Sequence, residues 1–151
     1  DWSNQNFLIA LFSAINESIW EHMKILFFPM FLFAIIESHF FDKCYKNFWC
    51  SKLIGILVGI VLIPILYYTY TGIFGVSIDW INIAIFFLCS AITYLLETRL
   101  LKGHILCNSS AQTSLIVLCL LAFIFVLFTF IPPHIPLFQD PITKSYGIHS
   151  T

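Results

Sequence analysis

Nine consecutive residues, Asn16-Glu17-Ser18-Ile19-Trp20-Glu21-His22-Met23-Lys24, place two carboxylates, an imidazole and an ammonium directly ahead of an apolar run over 25–36. Glu17 and Glu21 are four apart, so on a helix they share a face, and Lys24 continues that stripe one turn on. Two chemistries fit the stripe. In the first, the carboxylates sit at a helix N-terminus, where the backbone dipole favours negative charge. Lys24 then neutralises one of them while its stem lies along apolar surface. In the second, the carboxylates are aimed into the mouth of a bundle, where they would hold a metal or hand on a proton. His22 lies about 100° round an ideal helix from Glu21, on the face of Ser18, and needs a partner from another segment to act as ligand or acid–base group. A lone histidine is more often a hydrogen-bonded structural residue.

A second chemistry-bearing stretch is Pro133-His134-Ile135-Pro136-Leu137-Phe138-Gln139-Asp140-Pro141. It alternates apolar and polar groups on a proline-stiffened backbone, and a solvated tail has no need of Ile135, Leu137 and Phe138. The alternation predicts a segment folded back on the outer mouth of a helix bundle, bringing His134 and Asp140 towards Glu17, Glu21 and His22. Together with Asn16, Lys24 and Asp79, these residues form one candidate polar site. Glu21, His22, His134 and Asp140 are the candidate ligands for a divalent metal, because imidazole and carboxylate suit zinc, iron or manganese. No HExxH, HxxxH or ExxH spacing supports that metal.

Positioning such groups falls to long apolar helices. The chain is 60% hydrophobic and 10% charged, with a mean hydropathy of +0.92, whereas soluble domains carry about 25% charged residues. Several apolar runs reach about 20 residues, the length that crosses a hydrocarbon core. The expectation is an all-α polytopic transmembrane bundle, a single domain over 1–151, with spans over about 18–40, 52–70, 80–98 and 113–131. Residues 1–15 read as an interfacial segment or the remnant of an upstream helix, and 132–151 as a proline-rich lid or tail. Ser18-x-x-Glu21 makes a capping box for the first helix. Pro29 and Pro64 are expected to kink the first and second helices, and Pro132-Pro133 to stop the fourth. Gly55-Ile-Leu-Val-Gly59 is a GxxxG pattern that lets two helix backbones approach closely, in a partner helix or a second copy of the chain. The five cysteines form no CxxC pair and no scaffold-like spacing, so no disulfide framework is expected.

Charge gives an orientation and excludes a function class. Lys43, Lys46 and Lys52 follow the first span, and Arg99 and Lys102 follow the third, so five of the seven basic residues lie at one end. The positive-inside rule makes loops 41–52 and 99–112 cytoplasmic, and loop 71–79 and the C-terminus extracytoplasmic. Glu37, His39 and Glu97 fall near the cytoplasmic end and read as salt-bridged helix ends. A net charge of −1 without a basic tract excludes nucleic-acid binding. Neither a Walker loop nor a GxSxG elbow is present.

The stretches Asn16–Met30, Tyr68-Thr-Tyr-Thr-Gly72 and Pro132–Pro141, followed by Tyr146-Gly147, resemble the DUF6512 family over nearly the whole chain. The resemblance implies a small multi-pass bacterial membrane protein of unknown function. It also implies one more hydrophobic segment upstream, which would flank Glu17, and a glycine near Lys144–Ser145 that this sequence lacks. It supplies no activity, so no role passes to any residue. Three functions fit: a module that binds or transports a cation, proton or small polar ligand; a membrane-embedded, metal-dependent enzyme; and a structural or partner-binding subunit docking through Gly55 and Gly59. The lipid bilayer is the one partner implied by all three.

Overall fold

The computed structural model describes residues 18–41, 45, 47–103 and 110–140. Every described element is helical: α1 (Ile19–Phe41), α2 (Phe48–Phe74), α3 (Asp79–Lys102), α4 (Ala111–Phe130) and a 3-10 turn, Pro136–Phe138. The four long helices have 23, 27, 24 and 20 residues, and at 1.5 Å per residue each is long enough for a hydrocarbon core of about 30 Å. All four are also apolar enough to cross it. Asn16, Glu17 and the segment 1–15 lie outside the described residues, as does 141–151.

Local signals set the ends. Ser18 Oγ accepts from Glu21 N at 3.4 Å, closing the N-terminus of α1 from inside the bundle. Ser110 Oγ caps α4 by accepting from Thr113 N at 3.1 Å. α2 overruns the expected 52–70 in both directions. Its first turn includes Phe48 and Trp49, and it stops only where Gly75 adopts φ 73°, the left-handed conformation glycine takes without a Cβ penalty. α3 likewise continues past residue 98 to Lys102. The two intervening loops are therefore shorter than 41–52 and 71–79, and Lys52 belongs to a helix rather than a loop. Both α1 and α2 run on through Pro29 and Pro64.

α1 and α2 bury an apolar core that includes Leu26, Phe27, Ile56 and Ile60, whereas α3 and α4 turn their polar side inward. On α3 the buried positions are Asn82, Cys89, Thr93 and Glu97, one stripe that is mostly polar, while Trp80, Phe87 and Leu95 are exposed. On α4, Ser114, Leu118, Phe125 and Thr129 face inward and Leu120, Phe123 and Ile131 outward. Lipid solvates the apolar side as well as a core would, so small and polar side chains collect between the helices. Their hydroxyls are satisfied locally: Thr93 donates to Cys89 O at 2.9 Å and Thr129 to Phe125 O at 2.8 Å.

α2 is the hub, packing against α1, α3 and α4. Gly55 and Gly59 face α3, where Glu97 Cγ and Thr93 Oγ1 occupy the space a Cβ would fill. Leu26 of α1 also closes on Gly59, its Cδ2 3.2 Å from that same point. Opposite this seam, aromatic rings hold α1, α4 and the 3-10 turn together. Trp20 lies 4.6 Å from Phe125 and 4.5 Å from Phe138, and Phe27 lies 5.0 Å from Phe125, between ring centroids. Cys50, at the start of α2, is disulfide-bonded, its partner outside the described residues, and Cys89 and Cys119 are free thiols. A search for framework spacing is blind to a single bond of this kind.

Candidate functional site

Ionisable side chains inside the bundle form two groups, one at each end of α1. At its beginning, Lys24 Nζ lies 2.5 Å from Glu21 Oε2, with side-chain exposures of 0% and 4%. The two are an i,i+3 pair, so one helix supplies both charges and their geometry is fixed before any other helix packs. Lys24 is about 7.5 Å along the axis from Ile19. Its ammonium reaches back one turn to Glu21 and is enclosed by the bundle.

His22 points elsewhere. Its Nδ1 donates to Ser18 O at 3.0 Å, which leaves Nε2 as the acceptor in the neutral ring. The imidazole borders a cleft of about 10 Å³ with Ile19, Ile63, Tyr67, Asn82 and Ile85, room for roughly one water. Asn82 is the polar wall of that cleft, and the sequence reading passed over it. Its Oδ1 accepts from Tyr70 OH, and its Nδ2 donates to Ser77 Oγ at 3.1 Å. Tyr70 OH also accepts from Ile78 N at 3.3 Å, so the end of α2, the turn and the start of α3 are fastened at one phenol. The available signal was an asparagine three positions into an apolar span, where an amide needs partners.

The remaining candidates are spread more widely. Asp140 is buried, two residues beyond Phe138, whose ring covers Trp20. Trp20 Nε1 is buried in the same place and has no hydrogen-bond partner among the described residues. Asp79, in the first turn of α3, and His134 are exposed. The structure thus joins Glu21 to Lys24, seats His22 in a separate cleft, and leaves Asp79 and His134 at the surface. Among the described residues, no three His, Cys, Asp or Glu side chains converge as a metal-ligand set.

The second group lies at the far end of α1 and joins three helices. Lys52 Nζ of α2 is 2.5 Å from Glu37 Oε2 of α1 and donates a 2.7 Å hydrogen bond to Glu97 Oε2 of α3. Lys52 and Glu97 are 4% and 3% exposed in their side chains, Glu37 23%. Nζ also stands 5.7 Å from the centre of the Phe48 ring. Glu97 reaches this point across Gly55, where only a glycine leaves room for its Cγ. Nearby, Asn47 Nδ2 donates to Leu100 O at 2.8 Å and fixes the start of α2 to the end of α3. The sequence reads Glu37 and Glu97 as salt-bridged helix ends near Arg99 and the lysines and puts Lys52 where a loop meets the second span, and both carboxylates are indeed salt-bridged, to Lys52. Their convergence depends on the register of α2 against α3, which spacing along the chain does not contain.

Four long apolar helices with polar groups turned inward define a multi-pass integral membrane protein. The chain belongs to DUF6512, a family of unknown function, whose model matches residues 1–148. No curated protein and no solved structure matches it.

Proposed function

We propose that this protein binds or transports a cation or proton at the end of the bundle where α1 begins, and that this end faces away from the cytoplasm. The observation that carries the reading is Lys24, an ammonium with 0% side-chain exposure inside a membrane-spanning helix. Such a group is costly and marks a pathway or site when it occurs. Glu21 lies against it at 2.5 Å, and Asp140 is buried at the same end. Two buried carboxyl groups suit a positively charged occupant better than an anion. Trp20 Nε1 offers a donor to a water or polar group that accompanies it. The orientation rests on Lys43, Lys46, Arg99 and Lys102 gathering at the other end.

The test uses the whole chain in liposomes loaded with pH- and cation-sensitive dyes. Flux above that of empty vesicles is expected, together with its loss in the double variant Glu21→Gln/Lys24→Met. That variant removes both charges at once and leaves neither buried alone. A double variant that folds and still carries the wild-type flux would refute the reading.

A further inference from the structure

We propose that the Glu37–Lys52–Glu97 cluster is a proton-binding site, with Glu97 carrying one exchangeable proton. The site is at the opposite end of the bundle from Glu21 and Lys24, and it stands or falls independently of any flux there. Two carboxylates meet one ammonium, so with all three ionised the cluster is one unit negative. An uncompensated charge withdrawn from water costs several kcal/mol even after relaxation.

Burial identifies the carboxyl that takes the proton. Lys52 donates to Glu97 Oε2, pairs with Glu37 Oε2 by charge and sets its own charge against the Phe48 ring. Among the described residues neither Glu37 Oε2 nor Glu97 Oε1 has a hydrogen-bond partner, but Glu97 is 3% exposed against 23% for Glu37, and its side chain is buried against α2 at Gly55. An ionised carboxylate with one bare oxygen is poorly solvated, whereas a proton on Oε1 makes the group neutral and brings the cluster to zero net charge. Glu37, being the more exposed of the two, keeps its charge and its ion pair. A metal ion would have to share these oxygens with the Lys52 ammonium; a proton does not.

Among the described residues, no other group changes this balance. On α1 the other titratable group at this end is His39, and on α3 they are Tyr94, Arg99 and Lys102, all exposed. α4 carries no Asp, Glu, Lys, Arg, His or Tyr at all. Asp42, Lys43 and Lys46 lie outside the described residues.

Infrared spectroscopy of the full chain in lipid nanodiscs reads the proton directly. We expect a deuterium-sensitive carboxylic-acid carbonyl band at neutral pH that disappears as the pH is raised. Glu97→Gln, which copies the shape of the neutral acid, should lose the band completely. Glu37→Gln should lose it as well, because the excess charge is gone, and it serves where Glu97→Gln fails to fold. Glu21→Gln/Lys24→Met should keep it. Persistence of the band in Glu97→Gln or Glu37→Gln, or a wild-type spectrum without it, overturns the proposal.

Discussion

Lys24 owes its place inside the bundle to Glu21, and the dependence runs both ways. At 2.5 Å and almost no exposure, each charge is the other's close counter-charge. Breaking a buried pair by removing one partner costs about 3–5 kcal/mol. Removing both with apolar or amide groups of similar size is close to neutral by the same reasoning. Thermal unfolding in detergent should therefore show large losses for Glu21→Gln and for Lys24→Met, and a near wild-type midpoint for the double variant. Equal losses in all three would mean that the pair is fixed by something other than mutual charge. This part of the molecule was legible early, since both residues lie on one helix at a spacing that already brings them together. Asn82 was not legible in the same way. Its partners, Tyr70 and Ser77, come from the end of α2 and the turn, and only the folded turn shows the amide to be partnered through both its oxygen and its nitrogen.

At the scale of elements, the glycines of α2 divide by what faces them. Gly55 and Gly59 stand against Glu97 and Thr93 of α3, while Gly72, in the last turn of the same helix, has nothing within 4 Å. Thr93 cannot swing aside cheaply, because its Oγ1 is bonded to Cys89 O at 2.9 Å in a buried position. Gly59→Ala should consequently cost about 1–3 kcal/mol, the usual range for overpacking a tight contact. Gly72→Ala should gain about 0.5–1 kcal/mol, the helix preference of alanine over glycine. Opposite signs in one unfolding series check the assignment, and a stabilising Gly59→Ala would contradict the close approach. The helices themselves could be read from sequence, because an apolar run of spanning length has few other destinations. Their ends were less readable. Aromatic and hydroxyl residues such as Trp49, Tyr70 and Thr71 continue a helix or leave it with equal ease, and backbone bonding decides. The Glu37–Lys52–Glu97 cluster was the least legible feature, since Lys52 and Glu97 are 45 residues apart and meet only because Gly55 lets α3 settle at one register.

Across the whole molecule, the charge asymmetry loses members to burial and keeps its direction. Lys52 is buried between two carboxylates, so it no longer counts among the loop charges that bias insertion. Lys24 is buried likewise. What remains is Lys43, Lys46, Arg99 and Lys102 at one end against Lys144 at the other, still a strong asymmetry under the positive-inside rule. The Cys50 disulfide at the basic end pulls the other way, because such bonds persist in oxidising compartments. Insertion is decided as the chain enters the membrane, before any disulfide constrains it, so the charges should prevail. Alkaline phosphatase fused after Thr151, active only where its own disulfides form, is then expected to be active, and a fluorescent reporter that needs the cytoplasm to stay dark. An inactive phosphatase together with a bright reporter would reverse the bundle, placing Glu21 and Lys24 at the cytoplasmic face and the Glu97 cluster at the outer one.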